Sequence, residues 1–289
     1  MIRFVIQKSI GLMLRIIGRV SPELASDLRF FRMFKRLPHR EHPRLFAEKL
    51  MLRSRSADQE ALTDYVDKWK VRRYVAEVIG DSYNVPLLGV YDRPEDIPYD
   101  RLPAGIHLKL NHASGYNLIY DSQKKTRIRA RIRRWYRTDY SRIYQERQYS
   151  RVERKILVAE DVTAGGKVWD CSFFCFGGVV EFAQLLDHAG HRYEVGRNYE
   201  ALPFRLFTSV TAIEPKPERF EEMVTLAEKL SQPFGFVRVD FFLTGKGLYF
   251  GELTFTPGAG PRRFVPDRYN TIFGDKIPDY ILRSPVTDA

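Results

Sequence analysis

The sequence predicts an α+β fold in which antiparallel hairpins are flanked by helices. Three observations carry that expectation. Strand-like and helix-like stretches alternate without the regular spacing of a doubly wound sheet. Gly235 to Leu243 and Leu248 to Leu253 read as two strands joined by a glycine-containing turn. Glu218 to Leu230 sets Phe220, Met223, Val224, Ala227 and Leu230 at helical spacing, the buried stripe of an amphipathic helix. The chain has 289 residues, 44% of them hydrophobic, with 20 Phe and 16 Tyr. That is enough for a sizeable core and excludes a disordered chain.

Taken in order, residues 1–57 read as a helical, basic segment and 58–289 as the main domain. Within Met1 to Val20, Ile6, Ile10, Met13, Leu14 and Ile17 share one helical face, with Lys8, Arg15 and Arg19 opposite. Those cations, with Arg3, exclude a spanning helix. The pattern suits peripheral membrane contact and equally a helix packed on its own domain. Phe30, Phe31 and Phe34 lie on a helix ended before Pro38, and Asp58 to Ile79 is a second helical stretch closed by Gly80. Strand character follows at Val85 to Tyr91, Gly105 to Leu110, Lys155 to Glu160 and Val168 to Phe176. Gly165-Gly166 and Gly177-Gly178 mark turns.

Lys and Arg together number 47 against 36 acids, a net charge of +11. Such a surface favours polyanionic partners, or simply stays solvated. Lys124 to Arg134 concentrates seven of the cations on one helix, a candidate platform for an acidic polymer. Nucleic acid is the weaker partner, because no zinc-finger or helix-turn-helix pattern occurs. The only cysteines, Cys171 and Cys175, fall on one face of a strand. They read as core or cleft-lining residues of a protein in a reducing cytoplasm.

The chemistry concentrates in Phe236 to Thr254. Strand alternation points Val237, Val239 and Phe241 one way and Arg238, Asp240 and Phe242 the other. Charge on one face of an apolar strand is costly and needs a reason. With Gly245, Lys246 and Gly247 as the turn, Thr244 faces Leu248 and Asp240 faces Glu252. Directly opposed residues sit ~5 Å apart at Cβ, so two carboxylates there repel unless a cation lies between them. Two converging carboxylates beside an arginine suit Mg²⁺ bridging phosphates. The competing reading is a surface Arg238–Asp240 pair with an exposed Glu252.

The order Arg-Val-Asp-Phe-Phe, short turn, Glu252, then Pro257-Gly258 resembles the C-terminal part of D-alanine–D-alanine ligase and other ATP-grasp enzymes. Longer strings resemble the TupA-like ATP-grasp family: Pro43-Arg-Leu-Phe-Ala-Glu-Lys-Leu, Val66-Asp-Lys-Trp-Lys-Val-Arg, Leu108-Lys-Leu-Asn-His-Ala-Ser-Gly and Phe250-Gly-Glu-Leu-Thr-Phe. So do Trp135-Tyr136 and Glu146-x-Gln148-Tyr149. The resemblance implies an ATP-grasp fold, with antiparallel sheets flanked by helices and nucleotide between two lobes. Its lid lobe would run over about 105–160 and its metal-binding lobe over about 161–289.

The same resemblance implies ATP and Mg²⁺ as cofactors. Asp240, Glu252 and Thr254 would hold the metal, Arg238 would face the transferring phosphate, and Lys68 and Lys109 would hold the ATP phosphates. Ser114 and Gly115 belong to a loop closing over the triphosphate. Glu160 and Val162 would approach the adenine or ribose. Two positions depart from the family pattern: Thr254 stands where Asn is usual, and Ser172 where Lys is usual. Lys155 is a candidate substitute for that lysine and Arg192 a further phosphate contact. His107 and His112 lie near the loop. The family is associated with cell-surface polysaccharide clusters. The implied activity is therefore a carboxylate–amine ligase working through an acyl phosphate, with an acidic glycan or lipid-linked acceptor. An ATP-grasp sugar kinase and a non-catalytic nucleotide- or glycan-binding protein are the alternatives. A glycosyltransferase is disfavoured, since no Asp-x-Asp motif occurs.

Overall fold

The computed structural model describes residues 17, 20–163, 166–206, 216–257 and 262–283. Most of the amphipathic segment Met1 to Val20, Gly165 and Gly258 lie outside the described residues. Eight α-helices appear among them: α1 (Pro22–Phe34), α2 (Phe46–Arg53), α3 (Thr63–Val66), α4 (Val71–Val78), α5 (Lys125–Tyr136), α6 (Tyr140–Tyr144), α7 (Phe220–Ser231) and α8 (Arg268–Asp275). Nine strands are β1 (Leu87–Tyr91), β2 (His107–Leu110), β3 (Asn117–Ile119), β4 (Ile156–Ala159), β5 (Trp169–Phe176), β6 (Val179–Leu186), β7 (Arg192–Gly196), β8 (Phe236–Thr244) and β9 (Gly247–Thr254). They form two antiparallel sheets, a small one ordered β1-β4-β2-β3 and a large one ordered β7-β6-β5-β8-β9. No described helix is long and apolar enough to cross a membrane.

Each sheet follows from alternation along its strands. In the large sheet, Cys171, Phe173, Val237, Val239 and Phe241 share a core with the α7 stripe Phe220, Met223, Val224, Ala227 and Leu230. Cys175 lies in the same core, and both thiols are free. Burial raises both, Cys175 to about 12, so they are inert packing groups at neutral pH. The opposite face changes character along its length. At one end Phe174, Phe176, Phe182 and Phe236 meet Phe46 of α2 and Phe273 of α8. At the other end the face turns polar, with Asp170, Ser172, Arg238 and Asp240. Each buried Phe contributes roughly 2–3 kcal/mol, so the aromatic end anchors what the polar end exposes. Gly177 and Gly178, both at positive φ, make the tight turn between β5 and β6.

In the small sheet, Leu108, Leu110, Ile156 and Val158 pack under α5 through Ile128 and Ile132. The alternate residues Lys109, Leu157 and Ala159 face the large sheet.

Several expectations change in detail. The helical stretch over Asp58 to Ile79 is broken in the middle. The Asp67 carboxylate accepts from the backbone N–H of Trp69 at 2.8 Å and of Lys70 at 3.4 Å, and so starts α4 as a new helix. The boundary expected at residue 57 does not divide the core, because Phe46 and Leu50 pack with Phe264 and Phe273. The small sheet begins earlier than residue 105, since β1 belongs to it. Strands β3, β6 and β7 are additions to the expected set.

Candidate active site

The β8–β9 hairpin carries the densest charge. Asp240 does lie opposite Glu252, but by a different route from the one the spacing suggests. The turn has two residues, with Thr244 opposite Gly247 and Leu243 opposite Leu248. The register then shifts between Asp240 and Phe241, where Gly251 is the extra residue of a β-bulge. A shorter turn and a bulge offset each other, and the acids meet.

Arg238 grips Asp240 with two hydrogen bonds, Nε to Oδ1 at 2.7 Å and Nη2 to Oδ2 at 2.5 Å. Its Nη2 also reaches Glu252 Oε1 at 3.5 Å and Thr254 Oγ1 at 3.2 Å. The Thr254 hydroxyl donates to Glu252 Oε1 at 2.9 Å. Burial, with Glu252 and Asp170 nearby, pushes Asp240 upward against the pull of Arg238. Glu252 goes the other way: against burial, Lys68 and then Arg238 hold it below its usual value. The surface-pair reading therefore fails on geometry, because Asp240 is only 5% exposed.

Lys68 faces these acids from the segment before α4. Its Nζ lies 3.7 Å from Glu252 Oε2 and donates to the Ala113 carbonyl at 2.8 Å. Its position is fixed by a clamp: buried Asn111 donates to Asp67 at 2.9 Å and to the Glu153 carbonyl at 2.8 Å, and accepts from Lys155 N–H at 2.7 Å. Lys109 enters from β2. Its backbone pairs with Asn117 and Leu157, while its ammonium group meets no hydrogen-bond or ion-pair partner among the described residues. Burial lowers its pKa and Lys68 adds to the effect, against the opposing pull of Glu252 and Asp161. An ammonium group in a cleft that no carboxylate contacts directly is costly, and a ligand anion would offset that cost.

Lys68, Lys109, Ser114, Gly115, Arg192, Arg238, Asp240 and Glu252 all line one cleft of about 410 Å³ between the two sheets. Its far end is apolar, with Val85, Leu87, Leu157 and Ala159. Three expected contacts lie outside this lining. Thr254 serves Glu252 and Arg238 from the strand end. Glu160 is exposed, and its N–H donates to the Pro86 carbonyl at 3.0 Å. Val162 is buried in a small cluster with Val85 and Ala159.

Lys155 does not replace the missing cation at Ser172: it pairs with Asp92 at 2.6 Å, away from the cleft. Arg192 is the cation that β7 brings to the lining instead. His107 meets Asp161 at 3.3 Å, and His112 is buried, pushed to about 4 by burial with Arg154 and Lys68 nearby. Neither histidine lines the cleft.

Asp170 and Tyr149 are lining residues to which the sequence assigned no role. Strand alternation from Ser172 finds Asp170, and Tyr149 closes the Glu146-x-Gln148-Tyr149 string.

Among the described residues no three His, Cys, Asp or Glu side chains converge on one point. Two carboxylates do, and that is what Mg²⁺ takes from protein when phosphates and waters complete its shell. The residues fit an ion that arrives with a nucleotide.

No curated protein matches the chain. Solved structures with a similar chain course include a D-alanine–D-alanine ligase from Bacillus anthracis complexed with ATP, at 16% identity, 68% of this chain and 54% of that one, TM-score 0.40. Others are a D-alanyl-alanine synthetase A from Vibrio cholerae (18%, 70% and 58%, 0.41) and an L-amino acid ligase from Bacillus licheniformis (12%, 78% and 52%, 0.47). The chain spans little more than half the length of these proteins, and at such scores the likeness carries no argument about substrate. The family model is decisive where they are not. It is the model of the TupA-like ATP-grasp family, its match runs over residues 48–278 and so takes in both sheets and the cleft between them, and the chain belongs to that family.

Proposed function

We propose that the protein is an ATP- and Mg²⁺-dependent carboxylate–amine ligase. On this reading it joins an amino acid to an acidic cell-surface polysaccharide or its precursor. The observation that carries the proposal is the meeting of Asp240 and Glu252 under Arg238, facing Lys68 and a partnerless Lys109. A triphosphate supplies the direct anionic contact that the Lys109 ammonium group lacks among the described residues. The apolar end of the cleft suits a purine ring, and Ser114 and Gly115 lie where a loop would cover phosphates. Mg²⁺, when bound by Asp240 and Glu252, neutralises phosphate charge. Lys68, Lys109 and Arg238 stabilise charge on the transferring γ-phosphoryl group. A substrate carboxylate oxygen bonds to that phosphorus and ADP leaves. An amine then attacks the acyl phosphate, forming the amide and releasing phosphate and a proton.

The polymeric acceptor is favoured by α5. Its cations divide into two stripes. Lys125, Arg129 and Arg133 are tied to the segment 95–100, through Asp100, the Tyr99 ring at 5.3 Å and Glu95 at 2.9 Å. Arg127, Arg131 and Arg134, one turn apart, have no carboxylate partner among the described residues. That row suits a chain of negative charges.

Calorimetry with ATP and Mg²⁺, on the wild type and on Asp240→Ala/Glu252→Ala, tests the nucleotide site. Magnesium-dependent binding weakened at least tenfold by the double substitution is the expected result. A folded wild type that ignores ATP would overturn the reading. Product analysis then separates ligase from kinase: an amide against a stable phosphate ester.

A further inference from the structure

Tyr149 lines the cleft beside Lys68, Arg238 and Glu252. Its place follows from the course of β9. Tyr249 packs with Val85, Leu87 and Ala159 at the apolar end of the cleft. Glu252 comes next, at the acid pair. Thr256 lies past the end of the strand, where it accepts from the Gln148 amide at 3.0 Å and its hydroxyl donates to Glu146. Those two bonds, with Arg147 N–H donating to the Ser54 carbonyl at 2.9 Å, hold the short turn Arg147–Tyr149 in place. Tyr149 therefore stands beyond the acid pair, on the side away from the apolar end. The charges that act on its phenol are those of Glu146, Glu252 and Arg238.

The ring is half-buried and meets buried Tyr140 edge-on, with centroids 5.1 Å apart. The hydroxyl has no hydrogen-bond partner among the described residues. Phenylalanine would serve the same packing, so the hydroxyl adds nothing to the fold. Burial, then Glu146 and Glu252, hold the phenol far above its usual range, and it remains a donor at neutral pH. A donor in a cleft that meets no acceptor in the protein is available to a ligand oxygen.

Resting on the ligase reading above, we propose that the Tyr149 hydroxyl is a catalytic residue that binds the substrate carboxylate. With the purine at the apolar end and the γ-phosphoryl group at Asp240 and Glu252, the carboxylate arrives from beyond that pair, where Tyr149 stands. One carboxylate oxygen accepts from Tyr149. The other is left to attack the γ-phosphorus, and ADP leaves. The held oxygen becomes the carbonyl oxygen of the acyl phosphate. It takes the negative charge when the amine adds to the carbon, and becomes a carbonyl oxygen again as phosphate leaves. The nitrogen attacks as the free base and gives up a proton to solvent as the amide forms. The hydrogen bond is strongest at the oxyanion, so it favours amide formation beyond substrate binding.

The test is hydroxamate formation by the full chain, in which hydroxylamine takes the place of the amine and releases phosphate from the acyl phosphate. The acids are D-galacturonate, its trimer and N-acetylglycine, none of which carries a free amine. Wild type with ATP and Mg²⁺ should make hydroxamate from at least one of them. Tyr149→Phe keeps the ring and removes the hydroxyl. It should lower kcat/KM for the acid roughly 10- to 100-fold, while the KM for ATP stays within twofold. Its urea midpoint should equal or exceed that of wild type, since the free protein loses no hydrogen bond. Unchanged acid kinetics in Tyr149→Phe, a parallel loss for ATP, or a lowered urea midpoint would each overturn the assignment. So would a wild type that binds nucleotide in calorimetry yet makes no hydroxamate from any of the three acids. Failure to bind Mg²⁺ and ATP at all would instead sink the ligase reading beneath it.

Discussion

The two walls of the cleft handle charge in opposite ways. On the large sheet, Asp240, Glu252, Arg238 and Thr254 satisfy one another at 2.5 to 3.5 Å. On the small sheet, Lys109 stands in a largely apolar strand with no partner among the described residues. Its cross-strand neighbours are Leu157 on β4 and Asn117 on β3. The first wall is organised before any ligand arrives. The second carries an ammonium group that Glu252 and Asp161 act on only from a distance and that a ligand anion would meet directly. A site is most exposed as a binding site where the fold leaves a charge uncompensated.

The largest expected effects test that contrast directly. Asp240→Asn removes the carboxylate that Arg238 grips and leaves a buried guanidinium with only Glu252 and the more distant Asp170. Stability should fall by about 3 kcal/mol, and nucleotide turnover by roughly 10³-fold or more. Lys109→Met should do the reverse to the free protein, with stability unchanged or raised. Its nucleotide affinity should still fall roughly 10- to 100-fold, the loss of one or two charge-assisted hydrogen bonds. Chemical denaturation without nucleotide, paired with calorimetry, reads both. Equal destabilisation by the two substitutions would break the comparison.

A smaller effect concerns His112, at the end of β2 on the same wall as Lys109. Neither ring nitrogen has a partner in normal geometry, and Tyr136 meets the ring edge-on at 6.4 Å. Burial, then Arg154 and Lys68, push it to about 4, opposed in part by the backbone at Thr138 and Trp135. A folded-state value below the unfolded one, about 6.5, means the unfolded chain binds the proton first. The stabilising contribution is complete above pH 6.5 and is lost as pH falls towards 4, roughly 3 kcal/mol in all. His112→Phe should flatten that part of the pH–stability curve without loss at pH 8. An unchanged slope would show that the ring is not held neutral.

How much of this was legible in the sequence depended on whether a face kept one character along its length. Val237, Val239 and Phe241 against Arg238, Asp240 and Phe242 do, so β8 could be read residue by residue. The α7 stripe could be read for the same reason. Strands β6 and β7 could not. The inner face of β6 passes from Phe182 in the aromatic core to Gln184 at the cleft, so no simple alternation marks it. The role of Lys155 misled for a different reason. Its strand was placed correctly, but Asp92 draws its amine away from the cleft.

The acid pair was legible although two steps towards it were not, and that gives the subtlest test. Gly251 must be the extra residue for Glu252 to oppose Asp240. A Cβ there would lie 3.0 Å from the Asp240 carbonyl oxygen and 3.1 Å from the Phe242 ring. Both neighbours belong to the paired strand, and a carbonyl oxygen in a ladder has little room to retreat. Gly251→Ala should therefore cost roughly 1–2 kcal/mol and turn Glu252 away from Asp240, weakening magnesium-dependent nucleotide binding. Gly245 in the turn of the same hairpin is the control, since a Cβ there meets nothing within 4 Å. Gly245→Ala should stay within about 0.5 kcal/mol of wild type. If the two alanines behave alike, the bulge does not set the register, and the large wall is less rigidly organised than its hydrogen bonds imply.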